Sequence, residues 1–487
     1  MSIRRRTITL IRRSTLAVML LLAVIIGGRA VEAWLSPDLP PWLLVVPPEP
    51  DAREIDAMDW AGYLAAEARA FDTARREVSA RLSPDQRVPA NRYFDGSPVN
   101  PARFARDWNR SFILEPAGTP AGAAVLIHGM TDAPFSMRHL AEAYREQGWI
   151  AIGPRMPGHG MLPSGLTGVE WEDWLAATRL AVREARRRLG PDRPIYLVGY
   201  SNGGALSVKY ALDAIEDPRL PRPGKLVLVS PMIGVTAFAR FAGIAGLPAL
   251  LPAFDRAAWL DVLPEFNPFK FNSFPVNAAR QSHLLTAAVQ EQTRRLASTR
   301  RLDHLAPVLT FQSVVDSTVS TSAIVGALYA HLPANGSELV LFDLNRNAKT
   351  GPLVAPRVET ALERLVPPGP RRYRVTLVTN ADPASAAAVA RSMPAGTTTV
   401  EATPLDLDWP RELFSLSHIA LPFPLSDGLY GLRPDPSDAL GLNLGALAPR
   451  GETGLLVVGV ESLMRVSSNP FFPWMRSRVT EGLPTAP

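Results

Sequence analysis

The chain has 487 residues, 47% of them hydrophobic and 20% charged, which is enough apolar side chain for one large core or two. It contains no cysteine, so thiol nucleophiles, cysteine-ligated metals, iron–sulfur clusters and disulfides are excluded. The formal charge of +5 is matched by Arg4, Arg5, Arg6, Arg12 and Arg13 alone, which leaves the rest balanced and argues against nucleic acid as a partner.

Behind those arginines, Thr15 to Gly28 is an uncharged apolar run closed by Arg29. A basic flank and an apolar run form an export signal, and residues 1–35 are expected to be a signal peptide or signal anchor. The uncleaved anchor is the favoured reading. It places a single-pass helix in a bacterial-type inner membrane with the catalytic body outside the cytoplasm; cleavage would instead give a secreted or periplasmic protein. Residues 36–50 hold six prolines and read as a stalk. From Asp51 to Leu82 apolar residues recur at helical spacing, predicting one amphipathic helix that completes a 36–109 unit.

From residue 110 the pattern changes. Ala123–Ile127, Ile150–Ile152, Ile195–Val198, Leu226–Val229 and Val308–Phe311 read as buried strands, and Ser136–Gln147, Trp171–Arg188 and Gly203–Ile215 as helices. That alternation predicts an α/β fold, a mostly parallel sheet covered on both faces, over 110–487. Two segments interrupt it. Pro231 to about Arg301 reads as an inserted lid whose Phe238, Phe241, Phe254, Phe266 and Phe269 would form an apolar substrate wall. An extra insertion is expected over about 335–410, with strand, helix and strand at Tyr373–Thr379, Ala384–Ser392 and Thr398–Ala402.

The chemistry concentrates in Gly199-Tyr200-Ser201-Asn202-Gly203, a G-x-S-x-G pattern between a strand and a helix. Its glycines allow a sharp turn that lifts the Ser201 hydroxyl above the sheet as a nucleophile. An oxyanion needs two donors, and the backbone N–H groups of Met130 and Asn202 are the candidates, from the loop after the first buried strand and the residue after the nucleophile. In the order serine, acid, histidine, Asp316 after Val308–Phe311 is favoured over Asp343, and His418 over His331. His128 and His159 read as structural turn histidines.

Together with these, His128–Arg138 (HGMTDAPFSMR), Pro154–Leu166 (PRMPGHGMLPSGL), Trp171–Trp174 (WEDW), Gly199–Gly204 (GYSNGG) and Val314–Val319 (VVDSTV) make the chain resemble the α/β-hydrolases of the bacterial carboxylesterase and monoacylglycerol lipase-like, serine aminopeptidase S33-type, group. The resemblance runs over about 110–330 and returns near His418. It implies a Ser201–Asp316–His418 triad, an oxyanion hole at Met130 and Asn202, and no metal or other cofactor. The expected activity is hydrolysis of carboxylic esters, small or lipid, through an acyl-enzyme. An envelope acyltransferase using the same triad and a non-catalytic hydrolase-fold binding protein are the alternatives. The long gap between Asp316 and His418 departs from the family pattern.

Overall fold

A computed structural model describes residues 2–234, 252–347, 362, 365, 366, 369–438, 440, 442–447 and 459–485. Its strands are β1 (Phe112–Leu114), β2 (Gly122–Ile127), β3 (Trp149–Gly153), β4 (Ile195–Tyr200), β5 (Lys225–Val229), β6 (Trp259–Asp261), β7 (Phe274–Pro275), β8 (Val308–Ser313), β9 (Glu338–Phe342), β10 (Arg374–Asn380), β11 (Ala387–Met393) and β12 (Glu401–Asp408). Ten of them form one sheet in the order β1-β3-β2-β4-β5-β8-β9-β10-β11-β12. The run from β3 to β10 is parallel, while β1, β11 and β12 are antiparallel to their neighbours.

The central strands are apolar at successive positions because both faces are covered. In β2, Ala123, Val125 and Ile127 enter one core, with the helices Trp171–Leu189, Asn202–Glu216 and Val276–Ser298. Ala124 and Leu126 enter the other, with Arg138–Glu146 and Phe472–Thr480. The period-two alternation of strand side chains thus divides one apolar run between two layers.

Four expectations change. Asp51–Leu82 is not one helix: Ala52–Ala57 ends at the extended Met58, and Trp60–Glu77 restarts where the Asp59 carboxylate accepts from the Gly62 N–H at 2.8 Å. A capping aspartate is a stronger local signal than continuing periodicity. Residues 36–50 do not stand free as a stalk, because Leu43 is buried and Glu49 pairs with the buried Arg155 at 2.6 Å. The helix expected at Ala384–Ser392 is instead β11, paired antiparallel with β10 from Val375↔Met393 to Asn380↔Ala388; sheet pairing overrides the helix propensity of its alanines. Within the expected lid, Val276–Ser298 is a core helix that buries Leu285, Val289 and Leu296, and Phe269 is fully buried in an aromatic cluster with Phe135, Phe423 and Tyr430, with Phe266 packed against it. Phe238, Phe241 and the side chain of Phe254 lie outside the described residues.

The N-terminal run lies inside a helix of 34 residues, Ser2–Leu35, with Leu16, Met19, Leu20 and Val24 exposed. Among the described residues, however, no helix is long and apolar enough to cross a membrane. The uncharged stretch measures about 21 Å along its axis, short of a hydrocarbon layer of roughly 30 Å.

Candidate active site

Strand β4 runs into Ser201, which has φ 54 and ψ −115, and the helix Asn202–Glu216 begins at the next residue. A non-glycine residue held there stores about 1–3 kcal/mol of strain and needs surroundings that fix it. The Ser201 N–H donates to Val229 O at 3.0 Å, and its carbonyl accepts from Gly204 N at 3.0 Å and Met232 N at 2.9 Å. The flanking glycines are dictated by space. A Cβ on Gly203 would lie 2.0 Å from Ile127 O, and one on Gly199 would lie 2.3 Å from Gly203 O.

The loop after β2 abuts this turn, since a Cβ on Gly129 would meet the Ser201 Cβ at 3.2 Å. Neither the Met130 nor the Asn202 backbone N–H has a hydrogen-bond acceptor among the described residues, and Asn202 sits in the first helical turn, where donors are unpaired by construction. His128 is tied up differently. Its Nδ1 meets Gly129 O at 2.9 Å and its Nε2 accepts from Met156 N at 3.0 Å, so the ring staples two loops together. His159 stacks edge-on beside it, with ring centroids 5.0 Å apart.

On the far side of the elbow, His418 Nδ1 meets Asp316 Oδ2 at 2.8 Å, joining residues 102 apart in sequence. Asp316 follows β8, accepts from the Thr318 N–H at 2.7 Å and the Val319 N–H at 3.0 Å, and takes a further bond from Gln312 Nε2 at 3.1 Å. Burial opposes ionisation of this carboxyl, but the His418 charge and these donors outweigh it and hold it below the usual carboxylate range. The His418 ring lies 5.3 Å from that of Tyr200, the residue preceding Ser201. Of the rivals, Asp343 is engaged by Arg346 at 3.0 Å and by Thr379 Oγ1 at 2.9 Å. His331 sits in the turn leading into β9, at the amino ends of the parallel strands, whereas Ser201 and Asp316 follow their carboxyl ends.

Residues 118–262 match the family model described as serine aminopeptidase, S33. The chain has the α/β-hydrolase fold. It is 28% identical over 203 residues to a thermostable monoacylglycerol lipase of Bacillus sp. (strain H-257), an alignment spanning 41% of this chain and 72% of the relative. A phospholipase of Bacillus subtilis (strain 168) is 24% identical over 24% of this chain and 44% of its own. The crystal structure of a Paleococcus ferrophilus monoacylglycerol lipase aligns with TM-score 0.33 and 19% identity, covering 46% of this chain and 84% of that one.

Around the site the hydrolase carries charges that the sequence pattern did not single out. Asp132, buried beyond Met130, has its carboxyl raised by burial, against the lowering effect of Lys270 and of the Ala133 N–H. Arg465 donates to Thr318 Oγ1 at 2.6 Å, and its carbonyl accepts from Ser417 Oγ at 2.5 Å, so one residue touches the loops of both Asp316 and His418. The Asn202 carboxamide is fully buried with no partner for either polar atom among the described residues. Asp132 lies in the motif His128–Arg138 and Asn202 in Gly199–Gly204, but neither side chain had a role assigned there, and Arg465 falls in no motif. Away from the site, His139, Asp427 and Asp438 offer atoms within 4.8 Å of one another, but Arg138 already bonds both carboxylates, at 2.6 and 2.7 Å, which leaves a cation little charge to neutralise.

Proposed function

We propose that this α/β-hydrolase cleaves carboxylic esters through an acyl-enzyme. Ser201 Oγ attacks the ester carbonyl while His418 takes its proton and returns it to the leaving alcohol. Asp316 orients the imidazole and stabilises its cation. The backbone N–H groups of Met130 and Asn202 receive the tetrahedral oxyanion. Water then repeats the sequence to release the acid.

The observation that carries this reading is the His418–Asp316 bond of 2.8 Å, made across the insertion and beside the strained elbow that presents Ser201. The names of the two Bacillus relatives extend the reading to lipid esters, monoacylglycerols and phospholipids being the substrates those names state. The test is labelling by a fluorophosphonate probe together with hydrolysis of p-nitrophenyl esters of graded chain length. Ser201→Ala should abolish both, and a variant that kept either would remove Ser201 from the mechanism.

We also propose that residues 1–35 direct the hydrolase out of the cytoplasm, as anchor or cleaved signal. The support is the charge pattern alone, arginines flanking Thr15–Gly28. Fractionation of cells expressing the chain with and without those residues tests it, and an unchanged distribution would overturn it.

A further inference from the structure

Arg465 lies at the loops of Asp316 and His418 and Lys270 beside the oxyanion loop, and neither is in an ion pair among the described residues. Arg465, at the end of the short helix Val460–Met464, is exposed, and its only side-chain bond there is the one to Thr318 Oγ1. Lys270 belongs to a strap laid over the oxyanion loop. On one side of it, the Phe271 N–H donates to Thr131 O at 2.7 Å. On the other, Phe269 stacks on Phe135 with centroids 4.1 Å apart, and Asn109 Nδ2 holds Pro268 O at 3.0 Å. The backbone of Lys270 is therefore fixed.

Burial draws the Lys270 ammonium below its usual range; Asp132 opposes that shift, and the nearby Arg465 adds to it. The Tyr200 ring faces His418 at 5.3 Å, and its hydroxyl, raised mainly by burial, is also raised by Asp132 and Asp316 and lowered by Arg465. Asp316 is committed to His418 and Asp132 is held by the Ala133 N–H at 2.9 Å, so the two cations are not matched by bonded anions among the described residues. A half-buried ammonium and an unpaired guanidinium disfavour one another and are stabilised by an incoming negative charge.

We propose that Arg465 and Lys270 form an anion-recognition rim, so that the preferred substrate is an acyl ester whose alcohol portion carries a negatively charged group, phosphate or carboxylate. The side of the ester follows from the mechanism proposed above, on which this inference rests: His418 delivers a proton to the departing alcohol, and Arg465, which touches the loops of both His418 and Asp316, meets that portion. Arg465 offers a planar donor fork suited to either anion.

The test compares three substrates of equal acyl length with the full chain: 1-decanoylglycerol, 1-decanoylglycerol 3-phosphate and the decanoyl ester of glycolate. The expected result is a kcat/KM about tenfold or more higher for at least one anionic ester, carried by KM and shrinking as sodium chloride is raised. Whichever anionic ester is faster identifies the group as phosphate or carboxylate. Arg465→Gln and Lys270→Gln should each lower the anionic-to-neutral ratio several-fold, and Arg465→Lys should recover part of it. Equal rates on all three substrates, or variants that lower kcat alike on all of them, would overturn the rim. If Ser201 is labelled by fluorophosphonate and the neutral ester is cleaved without anionic preference, only this inference falls. If no ester is cleaved and no label is taken up, the esterase reading falls with it.

Discussion

The turn around Ser201 and the loop around His418 meet at one place in the fold but are built in opposite ways. The elbow is local: β4, Ser201 and the following helix are contiguous, and its glycines are forced by Ile127 O and Gly203 O within a few ångströms. The His418 loop has no such frame. It is held by Asp316 from 102 residues away, by Arg465 through Ser417 and by the ring of Tyr200. A strained conformation can be written into a short sequence, whereas a long-range contact requires the whole sheet, with β9 to β12 inserted, to return the chain to the right edge.

The largest test of that comparison is catalytic. Ser201→Ala should lower kcat on p-nitrophenyl butyrate by about ten-thousandfold with the circular dichroism spectrum unchanged, and His418→Ala should cost as much. The double variant should lose little more, because the two act as a unit, whereas His331→Ala should stay within about twofold of wild type. A mild His418→Ala beside a damaging His331→Ala would dissolve the pairing.

Next in size is the attachment of the N-terminal layer to the sheet. Arg155 is fully buried between Glu49 and Glu67, so Glu49→Ala leaves a buried guanidinium short of a partner. It should reduce the unfolding free energy by about 3–5 kcal/mol in urea titrations. A loss below about 1 kcal/mol would show that residues 36–50 are the free stalk that their prolines suggest.

A third test is pH. Burial is the main cause that lowers the His159 pKa from 6.5 to about 4, helped by the charge of Arg155. The unfolded chain therefore binds this proton at a higher pH than the folded one, and stability is full above about 6.5 and falls as pH drops towards 4. The loss should reach roughly 3 kcal/mol from this group, read as a falling urea midpoint between pH 7 and pH 4. His159→Gln should flatten that slope.

The smallest effect should come from Tyr200→Phe, which removes only a long 3.4 Å bond to the His418 carbonyl and leaves the ring contact in place. A kcat change of less than about threefold is expected, equivalent to well under 1 kcal/mol. A larger loss would mean that the hydroxyl, not the ring, steadies the His418 loop.

Much of the fold was legible before any coordinates. The buried strands Ala123–Ile127, Ile195–Val198, Leu226–Val229 and Val308–Phe311 lie in β2, β4, β5 and β8, because a strand covered on both faces is apolar at nearly every position. Misreadings fell where local pattern and distant partner disagree. Ala384–Ser392 has a helical composition, but it pairs with β10. Phe269 reads as a substrate wall and instead stacks on Phe135 in the core. The prolines of 36–50 suggest a spacer, yet Glu49 supplies the carboxylate that Arg155 needs.

The positions of Ser201 after β4 and of Met130 in the loop after β2 were legible in the sequence alone, since each is adjacent along the chain to a strand end. Which acid bonds which histidine was decided by tertiary structure. Asp316 and Asp343 both follow strand ends, and only the folded sheet shows Asp343 occupied by Arg346 and Thr379 while Asp316 meets His418. The roles open to Arg465, Lys270 and Asp132 belong to the same class, because a charge acquires its meaning from what surrounds it in space, and no spacing along the sequence encodes neighbours hundreds of residues apart.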